Sequence, residues 1–458
     1  MSAMEYSAPE PPLRQKTWHL VLSCREFFRH PAVSNAAWIG FEKIGRMGLS
    51  LVVGILVVRQ LGPDRYGSYS YVLAWATFFG PLALFGIGEN TVRHLVAMPD
   101  AEGRILGTAA ALRVGSCLTA ALLTFVAFAA SGTHAGATFG ELGVACMALA
   151  AYPLLVVEPF FQSQSRARVI TVCGLGSGLL VAAVKVAGIA AQAPVVFFVA
   201  AHAIESLFLA GSLMAAYVMT TKPPRGWQFD GQIARTLWQE AAPMIIGGFA
   251  IVVYNQSDLV LLGMMLDSPV EVGKYAAACR VSTMWMFIPL AILTSAAPFL
   301  YRAQATDQSI YEQRLVRVTS LVMGVAYACC AVIAIFPTAI LRLLFGEEFA
   351  PAAEALRVHV WSNVFSILGV AQTSWVLGNK LLWVILQHTI LGAVVNLALN
   401  IFVIPRYGAV GASWTTVIAM ATVAVVAAWL RPATRRLAAL QLRAIMLGGL
   451  VPATRSRA

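Results

Sequence analysis

Long apolar runs, each about the length of a membrane-crossing helix, fill most of the chain and are separated by short polar turns. About 20 apolar residues are enough for a helix to cross the hydrocarbon core of a bilayer. The pattern predicts twelve spans, and no loop between them is long enough to hold a soluble domain. Their predicted bounds are 36–58, 69–88, 106–130, 141–161, 170–191, 195–218, 241–263, 275–298, 315–337, 354–377, 381–404 and 410–430.

Two polar corners half a chain apart share the pattern Pro-x-x-x-Gly-x-Tyr. Their corresponding residues are all 206 positions apart: Pro63 and Pro269, Gly67 and Gly273, Tyr69 and Tyr275. A repeat near half the chain length predicts two similar helical bundles, and alternating-access transporters are built in this way with the substrate path between the halves. The alternative is that Pro, Gly and Tyr recur independently at turns.

The repeat and the spans together predict the domain organisation. We expect residues 34–218 and 241–430 to form two lobes, joined by a cytoplasmic linker at 219–240. Residues 1–33 are expected to form an N-terminal arm, either an amphipathic helix in the membrane interface or a loosely ordered segment. Residues 431–458 are expected to form a basic cytoplasmic tail. The predicted fold class is therefore an all-α polytopic membrane protein with twelve transmembrane helices in two pseudo-symmetric six-helix lobes.

Composition supports a membrane protein and argues against several other classes. Only 12% of the residues are charged and 59% are hydrophobic, whereas a soluble domain has about 25% charged residues. The seven cysteines are scattered, mostly within apolar runs, so they indicate neither a disulfide framework nor a metal site. Enzyme motifs such as HExxH, GxSxG and the P-loop are absent from the sequence. We therefore expect neither an enzyme nor a cofactor.

Loop charges predict the orientation of the chain. One side of the predicted topology collects 21 Lys and Arg residues and the other only seven, and the richer side is expected to be cytoplasmic. Both termini then face the cytoplasm. The formal net charge of +11 lies largely in short loops next to the membrane, where anionic lipid headgroups account for it. Nucleic acid is therefore not an expected partner.

When the 28 Lys and Arg residues counted with the loops (21 and seven) are subtracted from the total of 32, four cations remain, all in the first half: Lys43, Arg46, Arg113 and Lys185. Ionisable residues at membrane depth are costly and usually face the bundle interior or a wet cavity. They are the candidate binding residues for an anionic substrate. Two alternatives remain open: Glu42 and Arg46 are four residues apart and can pair as a packing element, while Arg113 and Lys185 can reach the membrane interface.

The carboxylates Glu158 and Glu205 also fall within predicted spans of the first half. Either they adjust the charge of the cationic cluster and carry protons, or they form internal pairs. We therefore count Glu205, with Glu42, among the candidate ion-coupling residues.

The second half of the chain carries a different set of polar residues at membrane depth. They are Asn255, Gln256 and Asp258 in the seventh span, Asn396 and Asn400 in the eleventh, and Thr415 and Thr416 in the twelfth. Asn396 and Asn400 share one helix face because they are four residues apart. One carboxylate with amide and hydroxyl oxygens suits Na⁺, and Asp258 alone suits a proton. The alternative is that these groups only hold the helices together.

With these residues in view, the chain resembles a polysaccharide-transport flippase of the Wzx type, in the multidrug/oligosaccharidyl-lipid/polysaccharide superfamily. The resemblance covers about residues 34–430. It is carried, in order, by residues 34–38, 59–67, 85–93, 258, 272–280, 298–302, 343–346, 396–400 and 404–412, which read SNAAW, RQLGPDRYG, FGIGENTVR, D, VGKYAAACR, PFLYR, LLFG, NLALN and IPRYGAVGA. Some relatives have fourteen spans, but the residues after 431 are too charged and too few to add two more.

The resemblance implies a V-shaped pair of six-helix lobes around a cavity that opens alternately to each side. It also implies a polyprenyl-pyrophosphate-linked oligosaccharide as substrate, moved across the bacterial inner membrane for cell-surface polysaccharide synthesis. H⁺ or Na⁺ is the implied coupling ion, a glycan polymerase and a chain-length protein are possible partners, and a monomer is expected. Two rival functions are a cation-coupled exporter of the MATE type, which favours acids in its cavity, and a glycan polymerase or ligase, which has a large external loop.

Overall fold

The computed structural model describes residues 31–84, 86, 88–132, 135–221, 226–379 and 381–450. These residues contain helices and turns and no strand, which confirms the all-α fold class. Most of the expected N-terminal arm and the end of the expected tail lie outside the described residues.

The first half of the chain forms eight α-helices: α1 (Pro31–Phe78), α2 (Gly80–Leu84), α3 (Gly88–Ala97), α4 (Glu102–Ala130), α5 (Phe139–Cys146), α6 (Val157–Ser163), α7 (Ala167–Ala190) and α8 (Val195–Thr220). The second half forms ten: α9 (Gly231–Leu266), α10 (Pro269–Thr283), α11 (Phe287–Thr306), α12 (Gln308–Ile335), α13 (Pro337–Phe345), α14 (Ala353–His359), α15 (Ser362–Gly378), α16 (Leu382–Ala421), α17 (Ala427–Leu430) and α18 (Arg435–Ile445).

Two of the longest helices, α1 and α16, are each interrupted by a glycine. Gly62 in α1 has φ 67° and Gly408 in α16 has φ 53°, values that a residue with a side chain adopts only with strain. A proline lies close to each break, at Pro63 and Pro405. Each long helix therefore consists of two sections that meet at an angle, close to the predicted boundaries between spans one and two and between spans eleven and twelve.

Nine helical segments of the described chain are long and apolar enough to cross a membrane. Two of the nine contain the breaks at Gly62 and Gly408. The predicted tenth span coincides with α14 and α15, whose separate lengths are too short to be counted among them. The membrane architecture follows from these segments, and the count of twelve spans stays a prediction.

Long helices form the main packing contacts within each half and between the halves. In the first half α1 packs on α7 and α8, and in the second half α9 packs on α16. Between the halves the main contact joins α1 to α10. Close packing and interhelical hydrogen bonds hold such helices together, because lipid tails are as apolar as the side chains that face them.

The two corners of the repeat touch each other, which explains their glycines. A Cβ atom placed on Gly67 would lie 1.7 Å from the carbonyl oxygen of Pro269, and one placed on Gly273 would lie 1.9 Å from the carbonyl oxygen of Pro63. Each corner therefore presents a bare glycine to the carbonyl oxygen of the other. We call this reciprocal contact the corner crossing, and the end of the bundle that contains it the corner end.

Further contacts join the halves at the corner end. The guanidinium of Arg59 donates to the carbonyl oxygens of Leu343 and Leu344, the latter at 2.7 Å, and so satisfies the last turn of α13. The backbone N–H of Ala135 donates to Asp267 Oδ1 at 3.1 Å. The halves of the chain are thus fastened together where the corners meet.

The connection between the halves runs along the opposite end of the bundle, the linker end, which contains Gly226–Asp230. Asp230 caps α9 by accepting from the N–H groups of Gln232 and Ile233. Helix α9, which contains the seventh predicted span, therefore begins at Gly231 rather than near residue 241. Its first turns pack on the first half. There Glu240 of α9 accepts from Arg93 of α3, and its carboxylate is 3.0 Å from His94 Nε2.

The residues after 431 fold back onto the second half. Helix α18 buries Leu437 and Leu440 against α12, while the Arg436 guanidinium pairs with Glu312 at 2.6 Å. The Tyr327 hydroxyl donates to the carbonyl oxygen of Ile445 at 3.1 Å. Much of the expected tail is thus a docked amphipathic helix.

Candidate functional site

A cavity of about 230 Å³ lies in the first half of the molecule, on the side that faces the second half. Its walls come from α1, α7 and α8 of the first half, and Arg280 of α10 reaches into it from the second half. The charged residues and the histidine that line it are Arg46, Lys185, His202, Glu205 and Arg280. A cavity of this size has room for several water-sized groups beside a small polar ligand.

Arg46 lies between two carboxylates from different helices. Its Nη1 is 3.3 Å from Glu42 Oε1, one turn earlier on α1, and its Nη2 is 2.9 Å from Glu205 Oε1 on α8. The Arg46 side chain remains 33% exposed. Both carboxylates partly neutralise the cation, and the guanidinium still has an accessible edge for another anion.

Arg280 reaches into the same cavity from the second half. Its Nη2 donates to the carbonyl oxygen of Ser50 at 2.7 Å. A Cβ atom on Gly54 would lie 1.5 Å from that nitrogen, so only glycine leaves room for the guanidinium. The Arg280 Nε is buried and has no hydrogen-bond partner among the described residues. The geometry thus leaves one donor of this arginine free.

The structure brings some of the predicted cations together and separates others. Lys185 lines the cavity with Arg46. Lys43 is exposed and does not line it. Arg113 is only 5% exposed, and its Nη1 donates to the carbonyl oxygen of Tyr152 at 3.1 Å, away from the cavity lining. The cationic cluster of the cavity is therefore Arg46, Lys185 and Arg280.

Arg280 is the cavity residue that sequence reasoning missed. The count of loop charges includes it among the seven of the poorer side, although it lies five positions inside the predicted bounds of span eight, 275–298. That position was the signal, because a cation more than a turn inside a span belongs with the membrane-embedded charges. The sequence does not show that Arg280 lines the cavity, because this depends on how α10 packs against α1.

A buried carboxylate lies in the second half, at Asp258 on α9. Asp258 is 1% exposed. Its Oδ2 accepts from the hydroxyls of Tyr275 at 2.8 Å and Thr416, and its Oδ1 accepts from Asn400 Nδ2. Three donors stabilise the ionised carboxylate, which would otherwise be very costly at this depth.

Asn396 and Asn400 extend this network along α16. The Asn396 Oδ1 accepts from Ser257 Oγ at 2.7 Å and from Asn400 Nδ2 at 3.1 Å, while Asn400 Oδ1 accepts from the Thr415 hydroxyl. The Asn396 Nδ2 is buried and lacks a partner among the described residues. Oxygens of one carboxylate, two amides and four hydroxyls thus meet within one bundle, a donor set that suits a hard cation or a proton.

Two members of this network, Ser257 and Tyr275, were not predicted, while Asn255 lies outside it. The Asn255 side chain is exposed and donates to the carbonyl oxygen of Ile251 on its own helix. Tyr275 is the tyrosine of the second corner, and its repeat partner Tyr69 lines the cavity. The repeat therefore marked both tyrosines, but their different surroundings follow from the packing of the two halves.

Comparison with known proteins adds a family to this geometry. Residues 32–304, more than half of the chain, match the model of a family described as polysaccharide biosynthesis protein. The chain belongs to this polysaccharide biosynthesis protein family. The match includes the whole cavity and α10, and the Asn396–Asn400 face lies beyond it.

Two relatives of this family member are similar over most of their length. The EPS I polysaccharide export inner membrane protein EpsE of Ralstonia nicotianae is 22% identical over 361 residues, 77% of this chain and 79% of the relative. The probable flippase AglR of Haloferax volcanii is 20% identical over 379 residues, 81% of this chain and 77% of the relative.

Solved structures share this fold. An inward-facing MATE family multidrug resistance transporter of the MOP superfamily has a TM-score of 0.69 and 15% identity, covering 87% of this chain and 96% of its own. The lipid II flippase MurJ has a TM-score of 0.65 and 12% identity, covering 91% of this chain and 92% of its own. The expected all-helical membrane fold is thereby confirmed.

Proposed function

We propose that this protein is a flippase for a polyprenyl-pyrophosphate-linked oligosaccharide destined for the cell surface. The observation that carries the proposal is the cavity in which Arg46 and Lys185 of the first half meet Arg280 of the second. A pyrophosphate is the most charged part of such a substrate. Arginine binds phosphate through paired hydrogen bonds, and lysine adds a compact positive charge.

The pyrophosphate would exchange places with carboxylates that now neutralise the cavity. Arg46 is shared between Glu42 and Glu205, and Arg280 has a buried Nε without a partner among the described residues. A phosphate oxygen that bonds both arginines would replace the contact to Glu205 and satisfy the free donor of Arg280. Because Arg46 and Arg280 come from different halves, the substrate would bridge the halves.

The rest of the substrate has surroundings suited to it. Tyr69 and His202 line the cavity beside the cations and offer polar atoms to sugar hydroxyls. The polyprenyl chain would remain in the surrounding lipid, since it is as apolar as the bilayer. The relatives named as a polysaccharide export protein and a probable flippase support this assignment.

The transport cycle would alternate access between the two lobes, 34–218 and 241–430. The corner crossing joins α1 to α10 and closes the corner end in this structure. We infer that the corner end faces outward and that both termini are cytoplasmic, in the bacterial inner membrane, because of the charge bias of the loops. A monomer with H⁺ or Na⁺ as coupling ion completes the proposal, and a glycan polymerase and a chain-length protein are its expected partners.

Asp258 is the proposed site of that ion. Its carboxylate, with the oxygens of Asn396, Asn400 and Thr416, is buried in the second half. A proton or Na⁺ bound there would neutralise a charge that is held by hydrogen bonds alone. The cavity and the ion site thus lie in different halves of the chain and must communicate through the helices between them.

Arg280 offers the sharpest test of the proposed cavity. The protein is reconstituted in vesicles that carry a polyprenyl-pyrophosphate-linked oligosaccharide, and glycan that reaches the opposite leaflet is measured with a membrane-impermeant reagent. Arg280→Ala removes charge-assisted bonds worth about 1.5–3 kcal/mol each. We therefore expect at least about tenfold slower flipping.

Lys43→Ala is the matched control. Lys43 is a cation in α1, three residues before Arg46, but it lies outside the cavity lining. It should flip at the rate of the unchanged protein. Equal rates for all three proteins would contradict the cavity assignment. Export of small organic cations together with no glycan movement would instead support the rival exporter function.

A further inference from the structure

Helix α10 makes three different contacts within about two turns. Gly273 takes part in the corner crossing. Two positions further on, the Tyr275 hydroxyl donates to Asp258 Oδ2 at 2.8 Å. Less than two turns later, Arg280 donates to the carbonyl oxygen of Ser50 in the cavity. The same short helix therefore touches the ion site and the substrate site.

The helix is built to move as one piece. It begins with Pro269 at its first turn, and the hydroxyl of Ser268 accepts from the N–H of Glu271. Most of its following residues are buried in tight packing: Val272, Gly273, Tyr275, Ala276, Ala277, Ala278, Val281 and Ser282. Close-packed elements transmit a displacement instead of absorbing it. A shift at Tyr275 must therefore reach Arg280, which lies about 7.5 Å further along the helix axis.

We propose that Tyr275 is a positioning residue that couples the Asp258 site to Arg280, and this inference rests on the proposed function of the cavity. A cation at Asp258 uses the same oxygen lone pairs that now accept from Tyr275. Weakening that hydrogen bond frees α10, and Arg280 then leaves its place above Gly54. Ion binding and substrate binding influence each other equally through this helix, as thermodynamic linkage requires.

Asn400, another donor to the carboxylate, lacks this connection. It lies on α16, of which no described residue lines the cavity, and it donates to the other oxygen, Asp258 Oδ1. Thr416 donates to the same Asp258 oxygen as Tyr275, and its hydroxyl is also 3.3 Å from the Tyr275 hydroxyl. Asn400 is therefore the donor to compare with Tyr275, because only Tyr275 is on the helix that carries Arg280.

The test is a set of double-mutant cycles on the purified full-length protein, with inorganic pyrophosphate as the probe and its dissociation constant as the readout. Asp258→Asn mimics a neutralised carboxylate. Its effect on pyrophosphate affinity is compared between the parent, Tyr275→Phe and Asn400→Leu. We expect the effect in the Tyr275→Phe background to differ from that in the parent by at least about threefold. In the Asn400→Leu background it should match the parent within about 1.5-fold.

A second variant keeps the test independent of the folding of Tyr275→Phe. Gly54→Ala places a methyl group where the Arg280 guanidinium lies, and it favours the helical state of α1. It breaks the same connection at its other end and should change the effect of Asp258→Asn by a similar factor.

The outcomes separate the two proposals. If pyrophosphate binds and the effect of Asp258→Asn is the same in all backgrounds, the coupling through α10 is wrong and the cavity assignment stands. Absence of pyrophosphate binding in the parent protein overturns the cavity assignment and the coupling with it.

Discussion

Individual charges at membrane depth define what the cavity of this protein can hold. An unpaired cation at the centre of a membrane helix costs roughly 2.5–3.5 kcal/mol even on insertion scales. Arg46 lowers this cost by bonding Glu42 and Glu205, and Arg280 does so by bonding the Ser50 carbonyl oxygen. These contacts leave cationic edges that face a polar space, as an anion site requires.

Arg46 is the residue on which we expect substitution to act most strongly. Arg46→Ala should lower glycan export at least about tenfold, because it removes charge-assisted hydrogen bonds worth about 1.5–3 kcal/mol each. Arg46→Lys keeps the charge and loses the planar fork, so it should retain partial activity. The measurement is complementation of an export-deficient strain, with membrane abundance determined in parallel.

Glu42→Gln separates this role from simple packing. If Arg46 served only as the partner of Glu42, both variants would lower protein abundance to the same degree. Full complementation by Arg46→Ala at normal abundance would remove this residue from the substrate site.

Asp258 is the corresponding residue for ion coupling. Asp258→Asn neutralises the carboxylate permanently, and a neutral amide oxygen accepts from Tyr275 and Thr416 more weakly than a carboxylate oxygen does. We expect the variant to insert normally and to lose the dependence of transport on an imposed H⁺ or Na⁺ gradient. The measurement is flipping in vesicles with and without each gradient, and an unchanged gradient dependence would return Asp258 to a structural role.

At the scale of the helices, we expect the corner crossing to decide which end of the molecule is closed. Gly67 and Gly273 each face a carbonyl oxygen of the opposite corner at a distance that leaves no room for a side chain. Pro63 and Pro269 supply those carbonyl oxygens. The corner pattern is therefore a two-sided backbone contact in which each half provides both the glycine and the acceptor.

Gly67→Ala and Gly273→Ala should each open this contact. Overlap of the new methyl group with the carbonyl oxygen costs about 1–3 kcal/mol, which shifts a two-state equilibrium about 5- to 150-fold. Val57 lines the cavity and is 3% exposed, so a cysteine placed there reports the opening. In a background free of native cysteines, an impermeant maleimide added outside should label it at least about fivefold faster in either variant.

Gly211→Ala provides the control, because a Cβ atom at Gly211 meets no atom within 4 Å. It should label at the rate of the parent. Unchanged labelling in both corner variants would show that the crossing does not control access at this end.

For the whole molecule, the unequal number of basic loop residues at the two ends predicts its orientation in the membrane. Loops at the linker end include Gly226–Asp230, and loops at the corner end include the connection between α4 and α5. Reporter fusions in the connection between the halves, at Gly226–Asp230, and at the C-terminus should report cytoplasm. A fusion near residue 134 should report the outside. An external C-terminus would contradict the even number of spans.

The sequence by itself determined the membrane class and the all-helical fold, because these depend on the length of the apolar runs, and its motifs indicated the polysaccharide family. It also placed Asp258, Asn396 and Asn400 in one half, since helical periodicity sets which residues of a helix share a face. The cations of the cavity were harder to identify. The candidates from the sequence include Arg46 and Lys185 but also Lys43 and Arg113, and helical periodicity does not say which helix faces meet.

Only the tertiary structure decided that choice. The crossing of two corners 206 residues apart in the chain brings α10 against α1 and thereby places Arg280 beside Arg46. It also turns Tyr275 toward Asp258, while its repeat partner Tyr69 lines the cavity. These are contacts between residues far apart in the chain, and they follow from how closely two backbones approach, which the residues of either helix alone do not specify.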